Sequence, residues 1–171
     1  MASNPDPVPE LGVSIRRFIL LDRCISCYTC EEVCKFLNDE HAFIKLYEVE
    51  KGLSKPISCF HCVKAPCVTV CPTNALVFDR ENAVVLRTSR CIGCTSCMVA
   101  CPFGIPELTP VGHVVKCDLC SKLRADGLEP GCVAACPTNA IIWGRPEDIS
   151  RKAREKTLTK LVEAFKTGER S

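Results

Sequence analysis

Sixteen cysteines in 171 residues, falling without remainder into four groups of four, constrain this chain more than any other feature. The first group is Cys24, Cys27, Cys30 and Cys34 in CISCYTCEEVC. The second is Cys59, Cys62, Cys67 and Cys71 in CFHCVKAPCVTVCP. The third is Cys91, Cys94, Cys97 and Cys101 in CIGCTSCMVACPFGIP, and the fourth is Cys117, Cys120, Cys132 and Cys136 in CDLCSKLRADGLEPGCVAACP. Two sub-patterns alternate. Groups one and three share C-I-x-C-x-x-C-x-x-x-C. Groups two and four share a C-x-x-C pair, a longer loop and then C-x-x-x-C-P-T-N-A. Repetition of this kind marks duplicated structural units rather than one irregular fold.

So many thiols serve either disulfides or metals, and the compartment decides between them. The opening MASNPDPVPELGVS is polar and proline-dotted, without the apolar run of a secretory signal. Arg16 and Arg17 look like a twin-arginine export signal, but only Phe18 to Leu21 follow before Asp22 and Cys24. That short run reads as a β-strand entering the first cysteine group. No window approaches the ~18 apolar residues that span a bilayer. The expectation is a soluble, cytoplasmic chain whose reduced thiols are metal ligands. Hydrophobic residues make up 47% with the cysteines counted, so the remaining apolar core is modest and metal ligation should supply much of the folding free energy. The net charge of +2 comes from well-mixed acids and bases, which excludes the basic stripe of a nucleic-acid binder.

Spacing then narrows the metal. Structural zinc uses two separated knuckles, whereas group three places four cysteines within eleven residues. C-x-x-C-x-x-C lets one short loop reach three corners of a [4Fe–4S] cubane, and the turn that follows carries the fourth cysteine away. In two-cluster ferredoxins that fourth cysteine ligates the other cluster. Pro72, Pro102 and Pro137 follow the last cysteine of groups two, three and four, and proline turns the chain out of the loop there. Sixteen ligands at four per cluster give four [4Fe–4S] clusters, and a holoprotein of net charge about −6.

Between the groups the pattern is strand and turn. ALVFDRENAVVL reads as a hairpin around Asp79 to Asn82, GHVVKC leads into group four, and AIIWGRP leaves it. Gly127, Pro130 and Gly131 predict an extended excursion within group four. From Pro146 the composition changes, and Ile149, Ala153, Leu158, Leu161, Val162 and Phe165 recur at near-helical spacing among charges, predicting a C-terminal amphipathic helix.

The four motifs, from Phe18 to about Trp143, resemble the four-cluster ferredoxin-type electron-transfer subunits of molybdenum or tungsten pterin oxidoreductases, of the dimethyl sulfoxide reductase and formate dehydrogenase type, and of hydrogenase-linked relays. Lys35 stands where the other groups have proline, as is usual in that family, and Cys94 is intact where some relatives carry a tryptophan. The resemblance implies an α+β fold of two bacterial-ferredoxin-like modules, one inserted in the other, with a C-terminal helix. The expected boundaries are a flexible arm at 1–11, a first module at 12–57 plus 112–145, the inserted module at 58–111, and the helix and tail at 146–171. Spacing alone leaves the pairing of groups open, because linear duplication would join one with two and three with four. The resemblance implies instead Cys24, Cys27, Cys30 and Cys136 for cluster 1, and Cys34, Cys117, Cys120 and Cys132 for cluster 2. It implies Cys59, Cys62, Cys67 and Cys101 for cluster 3, and Cys71, Cys91, Cys94 and Cys97 for cluster 4.

The remaining polar residues offer no chemistry of their own. His61 lies between two ligands in CFHC, but a histidine-ligated centre needs two histidines in place of two cysteines. It reads as a donor beside a cluster or a surface residue, and His41 and His113 as ordinary surface or strand residues. Lys116 is expected either to hydrogen-bond near a cluster or to be solvated. The adjacent Glu31 and Glu32 read as solvated acids. No nucleophile–base arrangement, Walker loop or dinucleotide fingerprint occurs. The chain is expected to be a non-catalytic relay of single electrons between a larger catalytic subunit and ferredoxin or another acceptor, without nucleic acid or direct membrane insertion. A tungsten or molybdenum pterin aldehyde or formate oxidoreductase is the favoured partner. The alternatives are a hydrogenase or carbon-monoxide dehydrogenase relay, and a free soluble polyferredoxin. The C-terminal helix and the arm of Pro5, Pro7 and Pro9 are candidate docking elements.

Overall fold

The computed structural model describes residues 15–167, so the arm expected at 1–11 lies outside the described residues. Within them the protein is a small mixed fold of short helices and two-stranded antiparallel sheets. Strand β1 (Arg16–Ile19) leads into helix α1 (Thr29–Leu37), and the hairpin of β2 (Ile44–Glu50) and β3 (Leu53–Ser58) follows. A one-turn helix α2 (Pro66–Thr69), the hairpin of β4 (Leu76–Phe78) and β5 (Val84–Leu86), and helix α3 (Ser96–Ala100) come next. The short pair β6 (Glu107–Leu108) and β7 (Val114–Val115) precedes helices α4 (Ser121–Ala125) and α5 (Gly131–Ala134). Strand β8 (Ile141–Gly144) and the long helix α6 (Pro146–Thr167) end the described residues. The strand expected at Phe18 starts two residues earlier, and the excursion within group four is partly helical because Ser121–Ala125 forms α4.

One pairing closes the fold. β1 runs antiparallel to β8, from Arg16 opposite Gly144 to Ile19 opposite Ile141, so the strand entering the first cysteine group is hydrogen-bonded to the strand leaving the fourth. The hairpin expected around Asp79 forms as β4–β5, where the Asp79 carboxylate accepts the N–H groups of Glu81 and Ala83. Such a side-chain-to-backbone bond is what places aspartate at tight turns.

Two apolar cores follow the same division. Cys30, Cys34, Ile44, Cys132 and Ile141 pack in one, with elements from both ends of the sequence. Ala65, Cys67, Val68, Leu76, Val84, Cys97 and Val114 pack in the other, from its middle. Thiols thus occupy core positions that aliphatic side chains fill elsewhere, as the thin apolar composition required. Helix α5 lies on α1, where a Cβ at Gly131 would stand 2.4 Å from Leu37 Cδ1 and 3.0 Å from Val33 Cγ1. Glycine there lets the two helices approach. α2 contacts α3 in the other core, and Val114 of β7 packs there with them. Among the described residues no helix is long and apolar enough to cross a membrane.

A buried cation ties the two halves together. Arg124 of α4 has a side chain only 3% exposed and bonds Asp79 and Glu81 on the β4–β5 turn. Its Nε also donates to the Leu119 carbonyl at 2.8 Å, beside group four. Burial pulls its pKa down, but the two carboxylates push it up by more, so the charge is secure. Replacing Arg124 with methionine leaves both acids without their partner. We expect a loss of about 3 kcal/mol, the low end for a broken buried pair because Glu81 is partly exposed. Urea unfolding of the holoprotein under anaerobic conditions measures it, and an unchanged midpoint would show that the tie is dispensable.

Candidate metal centres

All four C-x-x-C pairs are built on one backbone device. The residue just before the second cysteine has positive φ in each: Ser26 at 58°, His61 at 47°, Gly93 at 66° and Leu119 at 60°. A residue in that conformation curls the backbone so that successive N–H groups face inward, the concave arrangement that favours negatively charged sulfur. The amides of His61 and Leu119 accordingly donate to Cys59 Sγ at 3.5 Å and Cys117 Sγ at 3.4 Å. Tyr28 and Thr95, next after the second cysteine of groups one and three, repeat the conformation at 60° and 62°. The sequence repeat is therefore a repeat of dihedral angles.

The structure gathers twelve of the sixteen thiols, none of them in a disulfide, into three sets drawn from different groups. One cavity is lined by Cys24, Cys27, Cys30 and Cys136, a second by Cys59, Cys62, Cys67 and Cys101, and a third by Cys71, Cys91, Cys94 and Cys97. Open solvent included, they hold about 310, 380 and 320 Å³ of empty space, so similar that one kind of occupant would suit all three. The remaining thiols, Cys34, Cys117, Cys120 and Cys132, lie within electrostatic reach of one another, and Cys132 and Cys117 also act on Cys30 and Cys59 of the neighbouring sets. Among the described residues no three Cys, His, Asp or Glu side chains converge tightly enough for a single metal ion. Four thiols around an empty volume of this size suit a polynuclear cluster.

Electrostatics follow from burial and from N–H groups. Burial pushes Cys30 up to about 12, with Cys132, Cys27 and Cys24 adding to it. Cys120 is pushed up to about 12 and Cys67 to about 11, burial again leading. These thiols hold their protons at neutral pH until a metal compensates the charge, so loading must release protons. Cys71 and Cys136 go the other way. Burial raises them, but amides of the following turn (Leu76 and Ala75, Ile141 and Ala140) together with the Thr73 and Thr138 hydroxyls more than offset it. Both are the cysteine of a C-P-T-N-A repeat, with Asn74 and Asn139 at positive φ of 51° and 50°.

The structure decides between the readings left open for His61 and Lys116 and corrects that of Glu31. His61 is 2% exposed, its Nδ1 accepts the Val84 N–H at 3.0 Å, and burial with nearby Lys116, Arg17 and Arg124 keeps it neutral. Lys116 is not solvated: it is 6% exposed, and its Nζ donates to the carbonyls of Val84 and Cys117. Glu31 is not a free acid, because it accepts the Leu46 N–H at 2.8 Å and steadies β2 against α1. His41 sits half-exposed near Glu107, with its ring 4.9 Å from that of Phe43. Arg17 is the residue the sequence hid. As half of an apparent export signal it gave no hint that its Nη1 donates to Cys132 Sγ at 3.6 Å and Cys117 Sγ at 3.7 Å, or its Nη2 to the Cys59 carbonyl at 2.9 Å. Alternation along β1 was the available signal, since Arg17 shares a strand face with Ile19, which packs on a core, while Phe18 between them is exposed.

Iron–sulfur clusters fit this donor set. Arg17 Nε, Ser58 Oγ and His61 Nε2 are buried polar atoms without a partner, and all three residues flank Cys59. Buried donors need acceptors, and inorganic sulfide is one.

Comparison with known proteins agrees. Residues 51–145 match a family model described as a 4Fe-4S dicluster domain, and residues 21–37 match one described as a 4Fe-4S binding domain. The thiosulfate reductase electron transfer subunit PhsB of Salmonella typhi is 38% identical over 158 residues, 83% of this chain and 82% of its own. One polypeptide of the anaerobic dimethyl sulfoxide reductase of Escherichia coli K12 is 35% identical over 154 residues, 79% of this chain and 75% of its own length. The electron transport protein HydN of the same strain is 36% identical over 175 residues, 84% and 98% of the two chains.

Gly93 offers a test of the loop geometry. The equivalent Ser26, His61 and Leu119 show that positive φ tolerates a side chain here, but a Cβ at Gly93 would stand 2.2 Å from the Gly112 carbonyl oxygen. Gly93→Ala should therefore strip the Cys71, Cys91, Cys94 and Cys97 site, lowering iron by about four per chain. Gly52→Ala, at φ +77° but in open space, is the control and should keep full iron at a cost of about 1 kcal/mol. Equal iron in both variants would mean that the close approach is not what selects glycine.

Proposed function

The protein belongs to the 4Fe-4S dicluster family of iron–sulfur electron-transfer subunits, and from that premise we propose that it holds four [4Fe–4S] clusters as a fixed relay. Cluster 1 takes Cys24, Cys27, Cys30 and Cys136, and cluster 2 takes Cys34, Cys117, Cys120 and Cys132. Cluster 3 takes Cys59, Cys62, Cys67 and Cys101, and cluster 4 takes Cys71, Cys91, Cys94 and Cys97. The observation that carries this reading is the lining of three similar cavities by four cysteines each, every set joining two sequence groups.

When bound, each cluster supplies a site that takes up and gives back one electron. The protein's part is ligation, burial and hydrogen bonding, which set how readily each site does so. Cys30 and Cys34 lie four residues apart on α1, a rise of about 6 Å, so one helix carries ligands of clusters 1 and 2. Cys132 and Cys136 repeat that link across α5, while Cys67 with Cys71 and Cys97 with Cys101 link clusters 3 and 4. The module of clusters 3 and 4 is inserted in that of clusters 1 and 2. Its support is the β1–β8 pairing and the two separate cores, with the β6–β7 pair at the return.

The relay serves a larger catalytic oxidoreductase subunit, with ferredoxin or another carrier as its acceptor. A tungsten or molybdenum pterin enzyme acting on aldehyde or formate is the favoured partner; the relatives named for thiosulfate and dimethyl sulfoxide reductases support a catalytic oxidoreductase partner in general. Leu158, Leu161, Val162 and Phe165 on α6 are exposed apolar side chains of the kind that partners cover. A free polyferredoxin is the second reading, favoured by the match over nearly the whole length of HydN, whose name specifies no partner subunit.

Anaerobic purification from the native cell decides between them. We expect about sixteen irons per chain and a stoichiometric large subunit, identified by mass spectrometry, that carries a pterin metal or a hydrogenase centre. A lone chain with the same iron would favour the free carrier. In the complex, Cys97→Ser should disturb cluster 4 alone and interrupt transfer to the acceptor while the partner's half-reaction persists. Full transfer in that variant would sink the idea of a linear relay.

A further inference from the structure

The shared helices leave one junction unexplained, that between clusters 2 and 3, where the two modules meet without a helix in common. Two buried cations occupy it. Arg17 donates through Nη1 to Cys117 Sγ and Cys132 Sγ, both assigned to cluster 2, and through Nη2 to the carbonyl of Cys59, assigned to cluster 3. Burial disfavours its charge, but Cys117 and Cys132 more than offset that, so the guanidinium stays charged. Lys116 lies on the other side, with Nζ on the carbonyls of Val84 and Cys117 and its charge acting on Cys59 and Cys67. Among the described residues neither cation forms an ion pair with a carboxylate. Arg17 Nη1 lies 3.7 and 3.6 Å from Cys117 and Cys132 Sγ, and Lys116 lines the cavity of Cys59, Cys62, Cys67 and Cys101.

Resting on the ligand sets proposed above, we propose that Arg17 and Lys116 are a fixed positive bridge that raises the reduction potentials of clusters 2 and 3 and so carries the electron across the module boundary. The physical argument is charge balance. A bound cluster would take up one electron without a proton and so add one negative charge beside these cations. An unpaired buried cation beside it is attracted more strongly to the reduced form, and low local dielectric magnifies the difference. The effect should divide by position. Arg17, on the sulfurs of Cys117 and Cys132, acts first on cluster 2. Lys116, which lines the cavity of Cys59, Cys62, Cys67 and Cys101, acts first on cluster 3. A carbonyl–guanidinium–sulfur path also joins the two sets directly through Arg17. Both residues are positioning residues and take no part in ligation.

The test is a mediated potentiometric titration of the purified holoprotein followed by electron paramagnetic resonance, with iron counted in every sample. About sixteen irons in the wild type upholds the four-cluster reading independently of the charges. Arg17→Met and Lys116→Met, which remove charge and keep volume, should each lower one cluster potential so that its reduced-to-oxidised ratio falls at least tenfold at fixed ambient potential. For a one-electron couple that is about 59 mV. The affected signal should differ between the two variants, and Arg17→Lys should restore most of the first shift. Potentials within twofold of wild type in both iron-replete variants would overturn the proposal. Loss of iron from both methionine variants would overturn it as well, because the charges would then serve cluster assembly rather than potential. Fewer irons in the wild type itself would count against the ligand sets instead.

Discussion

Everything in this molecule depends on holding four thiolates around one small volume. Like charges repel, and burial penalises each of them, as the upward pKa shifts of Cys30, Cys67 and Cys120 show. The fold meets that demand with inward-facing amides rather than with side-chain cations in most places. The positive φ at Ser26, His61, Gly93 and Leu119 is the local form of the solution. Short helices and two-stranded sheets make up most of the rest.

This also explains why the apolar cores look unusual. Cys30, Cys34 and Cys132 pack among Ile44 and Ile141, and Cys67 and Cys97 among Leu76, Val84 and Val114. A thiol core cannot close tightly on itself without its clusters, so the polypeptide and its cofactor share one packing problem. Arg17 and Lys116 belong to the same problem, since within the described residues each is a buried cation without a carboxylate, held by backbone carbonyls among the cysteines.

The part of the site that spacing encodes is the part that a few consecutive residues build. C-x-x-C curls, the Asp79 turn and the strands flanking it were legible because each is stabilised within its own stretch. Glu31, Lys116 and His61 were misjudged or left open for the opposite reason. Each is satisfied by a distant backbone group, at Leu46 for the first and at Val84 for the other two, and no local pattern announces such a partner. Arg17 was harder still, because its short motif imitated an unrelated signal.

The amino-acid sequence by itself determined the donor chemistry, the number of thiols and the repeated loop that turns amides toward sulfur, because ligand spacing acts over a few residues. Only the tertiary structure decided which thiols share a cavity and which cations lie between the sets. Those depend on β1 pairing with β8 and on α5 lying against α1 through Gly131, contacts between distant parts of the sequence. Linear spacing is blind to them, since their cost is loop closure and their reward is burial that exists only once the ends have met.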